Sequence, residues 1–219
     1  MKSCLVKIVL AVVIGSQLLA AGDLSISPVQ QDTPEWCWLA VGEMVFRYYD
    51  IPNLNPAGIY QCGVVGVMVG GFCAQDCRYC ANLPASSVEN IARMITAYPR
   101  FARNYLRDQD IKQLTARIAV RPLRAQEIRD EIDAGRPIIA GISPAGSGAF
   151  GPQHAVLIIG YDGDDDSMNL TVNDPYPYGF SSPYEAAGGN GGSGQYTIPY
   201  LNFRSRLRWS QSVYKIDEP

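Results

Sequence analysis

The chain has 219 residues, 47% hydrophobic and 18% charged, an ordinary globular balance. That length suffices for one large domain or two lobes sharing a core, and 21 Gly with 15 Pro argue against a helix bundle. A net charge of −3 implies no nucleic-acid surface; the richest cationic stretch, Arg93 to Arg136, interleaves acids as a solvated helical surface does.

Lys2 and Lys7 give a positive start, and Ile8 to Ala21 is apolar apart from Ser16 and Gln17, ending in Leu19-Ala20-Ala21-Gly22. A basic start, a short apolar run and small residues at its end read as an export signal over residues 1–21. A spanning helix needs about 20 apolar residues and this run is shorter, so a cleaved signal is expected rather than the alternative, an uncleaved anchor. Asp23 to Val29 reads as an extended lead, since Ser27-Pro28 blocks a helix.

Glu35 to Asp50 reads as the first helix. Val41, Met44, Val45 and Tyr48 fall at i, i+3, i+4, i+7, one buried stripe. Thr33 or Asp32 is positioned to cap it, with Pro34 in the first turn, which places Cys37 at the helix N-terminal turn. Residues 51–85, rich in Gly and Cys, show no lasting period and read as loop. A second helix is expected from Ser86 or Ser87, with Ser86-x-x-Glu89 as a capping box; Val88, Ile91, Ala92 and Ile95 form its apolar face, and Pro99 lies just beyond. Ile111, Leu114 and Ile118 suggest a weaker helix, and Ala125 to Ala134 a last one, with Gly135 at its C-terminal cap.

The pattern then changes to strands: Pro137 to Ile142, His154 to Tyr161 (HAVLIIGY), Leu170 to Asn173, Tyr196 to Ile198 and Ser212 to Ile216. The acidic turn Asp162–Ser167 has a calcium-like composition but lacks the closing glutamate of an EF-hand loop, and reads as a solvated hairpin turn; Gly188–Gly194 reads as a surface loop. Helices first and strands second give an α+β fold, a helical lobe over about 30–135 packed on an antiparallel β-sheet lobe over about 136–217.

Five cysteines follow the signal: Cys37, Cys62, Cys73, Cys77 and Cys80. Export implies an oxidising compartment, where disulfides persist. Cys62, Cys73, Cys77 and Cys80 are disulfide candidates, with three pairings open; a four-cysteine zinc site is the alternative. Cys73-x3-Cys77-x2-Cys80 also matches the cluster motif of radical-SAM enzymes, but an exported chain without strand–helix alternation does not suit that chemistry. Cys37 is left as an odd, free thiol.

The chain has one histidine, His154, so any mechanism that needs an imidazole must use it. A thiolate, not a thiol, is the nucleophile, and an imidazolium partner and a helix N-terminus both favour it. The histidine needs an orienting acceptor. Asp174 ends the strand after the one carrying His154, and Asn173 is its rival; neighbours on a strand point to opposite faces, so only one can serve. Oxyanion donors are available from the Cys37 N–H and from the side-chain amide of Gln31, six residues upstream.

Gln31-x5-Cys37-Trp38, followed in order by His154 at a strand start and Asp174 on the next strand, resembles the papain-like cysteine proteases, in particular their compact bacterial secreted and effector-type branch. The resemblance implies that Cys37 attacks, His154 shuttles the proton, Asp174 orients it in place of the Asn common elsewhere, and Gln31 serves the oxyanion. It implies an aromatic shielding the orienting bond, Tyr176 or Trp209. No long pro-segment separates the signal from Gln31, so latency through a large propeptide is not expected.

The expected protein is thus a secreted or periplasmic, monomeric endopeptidase acting on a protein or peptide, with no cofactor, no metal, no nucleic acid and no membrane partner beyond the signal. The same triad would suit a cell-wall peptide amidase or a transglutaminase, and a non-catalytic binding module is the alternative outside enzymes.

Overall fold

A computed structural model describes residues 21–144, 154–165, 167–176, 190–192 and 194–219. The expected export signal, apart from Ala21, and residues 188, 189 and 193 lie outside the described residues; the rest of the expected Gly188–Gly194 surface loop is not all loop, since Asn190–Gly192 pairs as a strand with Gln195–Thr197. Among the described residues, no helix is long and apolar enough to cross a membrane.

The first helix starts later than its sequence suggests: α1 spans Cys37–Tyr48, with Trp36 at the N-cap position and no capping side chain. Neither Thr33 nor Asp32 caps it. Thr33 Oγ1 donates to the Ala81 carbonyl at 2.7 Å, and the Asp32 N–H to Gln61 Oε1 at 3.0 Å. Pro34 therefore lies in the approach loop. The apolar stripe is wider than expected, because Trp38 through Phe46 are all buried between helices and sheet, while Tyr48 is only half-buried.

Residues 51–85 are not simply loop. They hold α2 (Tyr60–Val69), α3 (Gly71–Gln75) and a turn of 3-10 helix at Cys77–Cys80. The α2 sequence YQCGVVGVMV is apolar on every side, so it has no helical period to read. Tertiary packing stabilises it instead, and disulfides Cys62–Cys77 and Cys73–Cys80 staple the segment together. That pairing makes the four cysteines unavailable as zinc ligands.

Helix α4 runs Val88–Leu106, capped by Ser87, whose Oγ accepts from the Asn90 N–H at 3.4 Å. Pro99 lies inside it rather than beyond it. A proline in a helix removes one backbone hydrogen bond, and the burial of Tyr98, Pro99 and Ala102 holds the helix through that loss. The weaker helix suggested by Ile111, Leu114 and Ile118 is instead strand β2 (Thr115–Ala119), claimed by its ladder to the last strand. Helix α5 (Ala125–Asp133) ends as expected, with Gly135 at φ 76°.

The remaining strands are β1 (Ala21–Asp23), β3 (Ile138–Ile142), β4 (His154–Asp162), β5 (Asn169–Asn173), β6 (Asn190–Gly192), β7 (Gln195–Pro199) and β8 (Gln211–Asp217), with α6 (Tyr200–Ser205) before the last. They form one antiparallel sheet in the order β2-β8-β3-β4-β5-β7-β6. Strand β1 covers the end of β4 that β3 does not reach, Ala21 opposite Asp162 and Asp23 opposite Gly160. The sheet thus recruits β1 and β2 from ahead of the strand-rich half.

Both faces of the sheet are covered. Ile139, Ala155, Leu157, Ile159 and Val213 pack against α1, α2 and α4. Ile138, Ala140, Val156 and Ile158 face α5, α6 and the Trp209 cluster. A strand buried on both faces reads as a continuous apolar run, which is why HAVLIIGY shows no alternation. At the β4–β5 turn, Asp164 Oδ1 accepts from the N–H and the Oγ of Ser167, and Asp165 pairs with Arg129.

Candidate active site

Cys37 is the first residue of α1 and the free cysteine among the described residues. The first N–H groups of a helix lack intrahelical acceptors and carry the positive end of its dipole. No carboxylate occupies the first turn to neutralise that end. The approach loop is tied down from outside: the indole N–H of Trp36 donates to the Cys80 carbonyl at 2.9 Å and that of Trp38 to the Leu83 carbonyl at 3.2 Å. Together with Thr33, three hydrogen bonds thus seat the loop and the start of α1 on residues 80–83.

His154 opens β4, paired with Ile142 of β3. Strands β4 and β5 pair with Leu157 opposite Asn173, and Asp174 follows that pair. Its Oδ1 lies 2.7 Å from His154 Nε2 and also accepts the Tyr176 N–H at 2.8 Å. Asp174 is buried, and its own N–H donates to the Gly194 carbonyl. The rival Asn173 is occupied elsewhere: its Nδ2 donates to the Ile26 carbonyl, and its Oδ1 accepts from Gln195.

The His154 ring therefore spends Nε2 on Asp174, and the Cys37 side chain hydrogen-bonds the imidazole as well. Burial works against a charged ring. The Asp174 carboxylate, by its charge and hydrogen bond, and then Cys37 outweigh burial and push the His154 pKa up to about 10. The ring thus holds its proton more tightly than a free imidazole does. Of the two aromatics considered as a shield, Tyr176 stands edge-on to His154, ring centres 6.2 Å apart. Trp209 packs in the other core against Phe203 and donates to the Gln211 carbonyl.

Gln31 is buried beside the approach loop, and its backbone N–H donates to the Pro175 carbonyl, next to Asp174. Its Nε2 donates to the carbonyls of Thr33 and Pro34, each at 2.8 Å, while Oε1 is buried without a partner. Both amide hydrogens are therefore engaged within the loop.

A cleft of about 550 Å³ opens over Cys37 and His154. Val88 and Ile91 of α4 form one wall, and Ile139 and Val213 of the sheet the other. The sequence marks each of these as an apolar position of its element, but no periodicity shows that positions from three elements face one cleft. Among the described residues no cluster of His, Cys, Asp and Glu is disposed to hold a metal ion.

No curated protein matches the sequence. Among solved structures, the digestive procathepsin L 3 of Tenebrio molitor larval midgut superposes with a TM-score of 0.50 at 13% identity, over 90% of this chain and 70% of that one. The digestive procathepsin L2 proteinase of the same source gives 0.50 at 13%, over 87% and 64%. A double glycine motif protease from an AMS/PCAT transporter, in complex with the leader peptide, matches at 15% identity with a TM-score of 0.45, over 90% and 95%. The model of the Peptidase_C39 like family matches residues 23–198, most of the chain. The chain therefore belongs to the Peptidase_C39 like family and is a cysteine peptidase, with the α+β, papain-like fold seen in the procathepsins.

Proposed function

We propose that this cysteine peptidase is an exported endopeptidase that cleaves peptide bonds through Cys37, His154 and Asp174. The observation that carries the reading is His154 held between Asp174 and Cys37 at the edge of a cleft of about 550 Å³. A charged imidazole beside the sulfur is the partner that a thiolate nucleophile needs.

In this mechanism the Cys37 sulfur attacks the scissile carbonyl carbon. The carbonyl oxygen gains the negative charge and takes the Cys37 N–H as one donor. Gln31 supplies the second donor by exchanging one of its carbonyl partners for the oxyanion, since a charged acceptor makes the stronger hydrogen bond. His154 passes its proton to the leaving amine, and the C–N bond breaks to leave a thioester on Cys37. The neutral ring then takes a proton from water, whose oxygen attacks the thioester and releases the acid and the sulfur. Asp174 holds the ring plane throughout.

Export is supported by the basic-then-apolar start of the sequence and by two disulfides, which persist in oxidising compartments. The deciding experiment compares wild type with Cys37→Ala on a mixed peptide library, on casein and on purified peptidoglycan. Cleavage of peptides and casein by wild type alone supports the reading. Activity confined to peptidoglycan makes the protein a cell-wall amidase. Activity that survives Cys37→Ala removes Cys37 from the chemistry.

A further inference from the structure

Gln61 lies on α2, away from the triad, and is 1% exposed. Its side-chain amide is fully engaged. Its Oε1 accepts the Asp32 N–H at 3.0 Å, and its Nε2 donates to the Gln30 carbonyl at 2.9 Å. A backbone donor on one side and a backbone acceptor on the other admit one orientation of the amide. The second hydrogen of Nε2 goes to Glu43 Oε2 at 3.1 Å, and Glu43 is in turn held by Arg47 on the same helix as Cys37.

The two backbone groups that Gln61 grips flank Gln31. The N–H of Gln31 donates to the carbonyl of Pro175, next to Asp174. The gripped strip therefore runs from the approach to Cys37 to the loop that carries Asp174. Gln61 itself is fixed by its neighbour Cys62, which is bridged to Cys77. An apolar residue would bury more cheaply on this otherwise apolar helix, since a buried amide left unpaired costs about 1–3 kcal/mol.

We propose that Gln61 is a positioning residue for the oxyanion side of the site, held by Glu43 and setting the backbone on both sides of Gln31. The inference rests on the role given to Gln31 above. It assigns Gln61 no contact with the reacting atoms and no part in the Cys37–His154 pair.

The test measures kcat, KM and the rate of Cys37 alkylation by iodoacetamide at pH 6 in the full-length exported protein. Gln61→Met keeps length and bulk but grips neither backbone group. The expected result is a fall in kcat of about 10–100-fold, less than the loss of an oxyanion donor itself. KM should stay within about twofold and alkylation at the wild-type rate, because the ion pair is untouched. Glu43→Gln, which leaves the Gln61 amide without its charged partner, should show a smaller fall of the same kind. It decides the matter if Gln61→Met does not fold. Unchanged kcat overturns the inference. So does a parallel loss of alkylation, which would mean that Gln61 only maintains the fold around Cys37. The Cys37→Ala comparison separately tests the underlying reading, so the two failures are distinguishable.

Discussion

The two halves of the site are built by different means. His154 and Asp174 sit at strand ends, where the ladders of β3, β4 and β5 place them through backbone hydrogen bonds. Cys37 starts an uncapped helix, and its approach loop is held by side-chain bonds from Thr33, Trp36 and Trp38 to backbone carbonyls of residues 80–83. That seat is stapled by two disulfides. A ladder holds through many equivalent bonds, each worth about 1 kcal/mol. A disulfide-stapled seat concentrates the same task in a few covalent and side-chain contacts. The nucleophile side should therefore fail under reduction, while the histidine side should not.

The largest expected effect comes from the half that the sheet holds. His154→Ala should lower kcat/KM by about 10³-fold or more, since no other imidazole can replace it, with the sheet signal in circular dichroism retained. Retained turnover would place the chemistry elsewhere.

Cutting the staple comes next. Cys62→Ser with Cys77→Ser opens a bridge between residues 15 apart and should cost about 2–4 kcal/mol. Hydrogen exchange should accelerate across residues 30–38 and 60–83 and stay slow in β3, β4 and β5. Uniform acceleration would erase the distinction between the halves.

A substitution can separate the charge of Asp174 from its hydrogen bond to His154. The pKa of His154 is raised from 6.5 to about 10, so the ionised ring stabilises the fold fully below the lower value and loses that contribution as pH climbs towards the higher. The activity limb that reports loss of the imidazolium should likewise lie near 10. Asp174→Asn keeps an acceptor for Nε2 but removes the charge. Activity at neutral pH should fall, and the alkaline limb of kcat/KM should move down. An unmoved limb would show that Asp174 is not what holds the proton.

The smallest effect tests a single seat bond. Trp38→Phe keeps the ring in the core but loses the N–H to the Leu83 carbonyl, at about 0.5–1.5 kcal/mol, read as a lower unfolding midpoint with His154–Asp174 geometry unchanged by NMR.

Much of this was legible in the residues. The one histidine and the odd cysteine were plain from the residue count, strand alternation allowed only one of Asn173 and Asp174 to face His154, and the resemblance carried by Gln31-x5-Cys37-Trp38 favoured Asp174. Elements with a clean period, such as the Val88–Ile95 face and the core strands, were also readable. Three were not. Helix α2 is apolar all round, so no period marks it. Pro99 reads locally as a stop, yet burial of its neighbours carries the helix through it. Ile111, Leu114 and Ile118 mimic a helical spacing, while pairing with β8 makes the segment a strand.

The sequence by itself determined which groups can do chemistry here: one imidazole, one odd cysteine at a helix start, and an acid on the following strand. Only the tertiary structure decided how they are held. Long-range partners chose the cysteine pairing, placed Tyr176 rather than Trp209 at His154, and put Gln61 against the backbone around Gln31. Such contacts join residues 7 to 31 positions apart, and local pattern carries no record of them, because their energy arises only when separate segments are brought together.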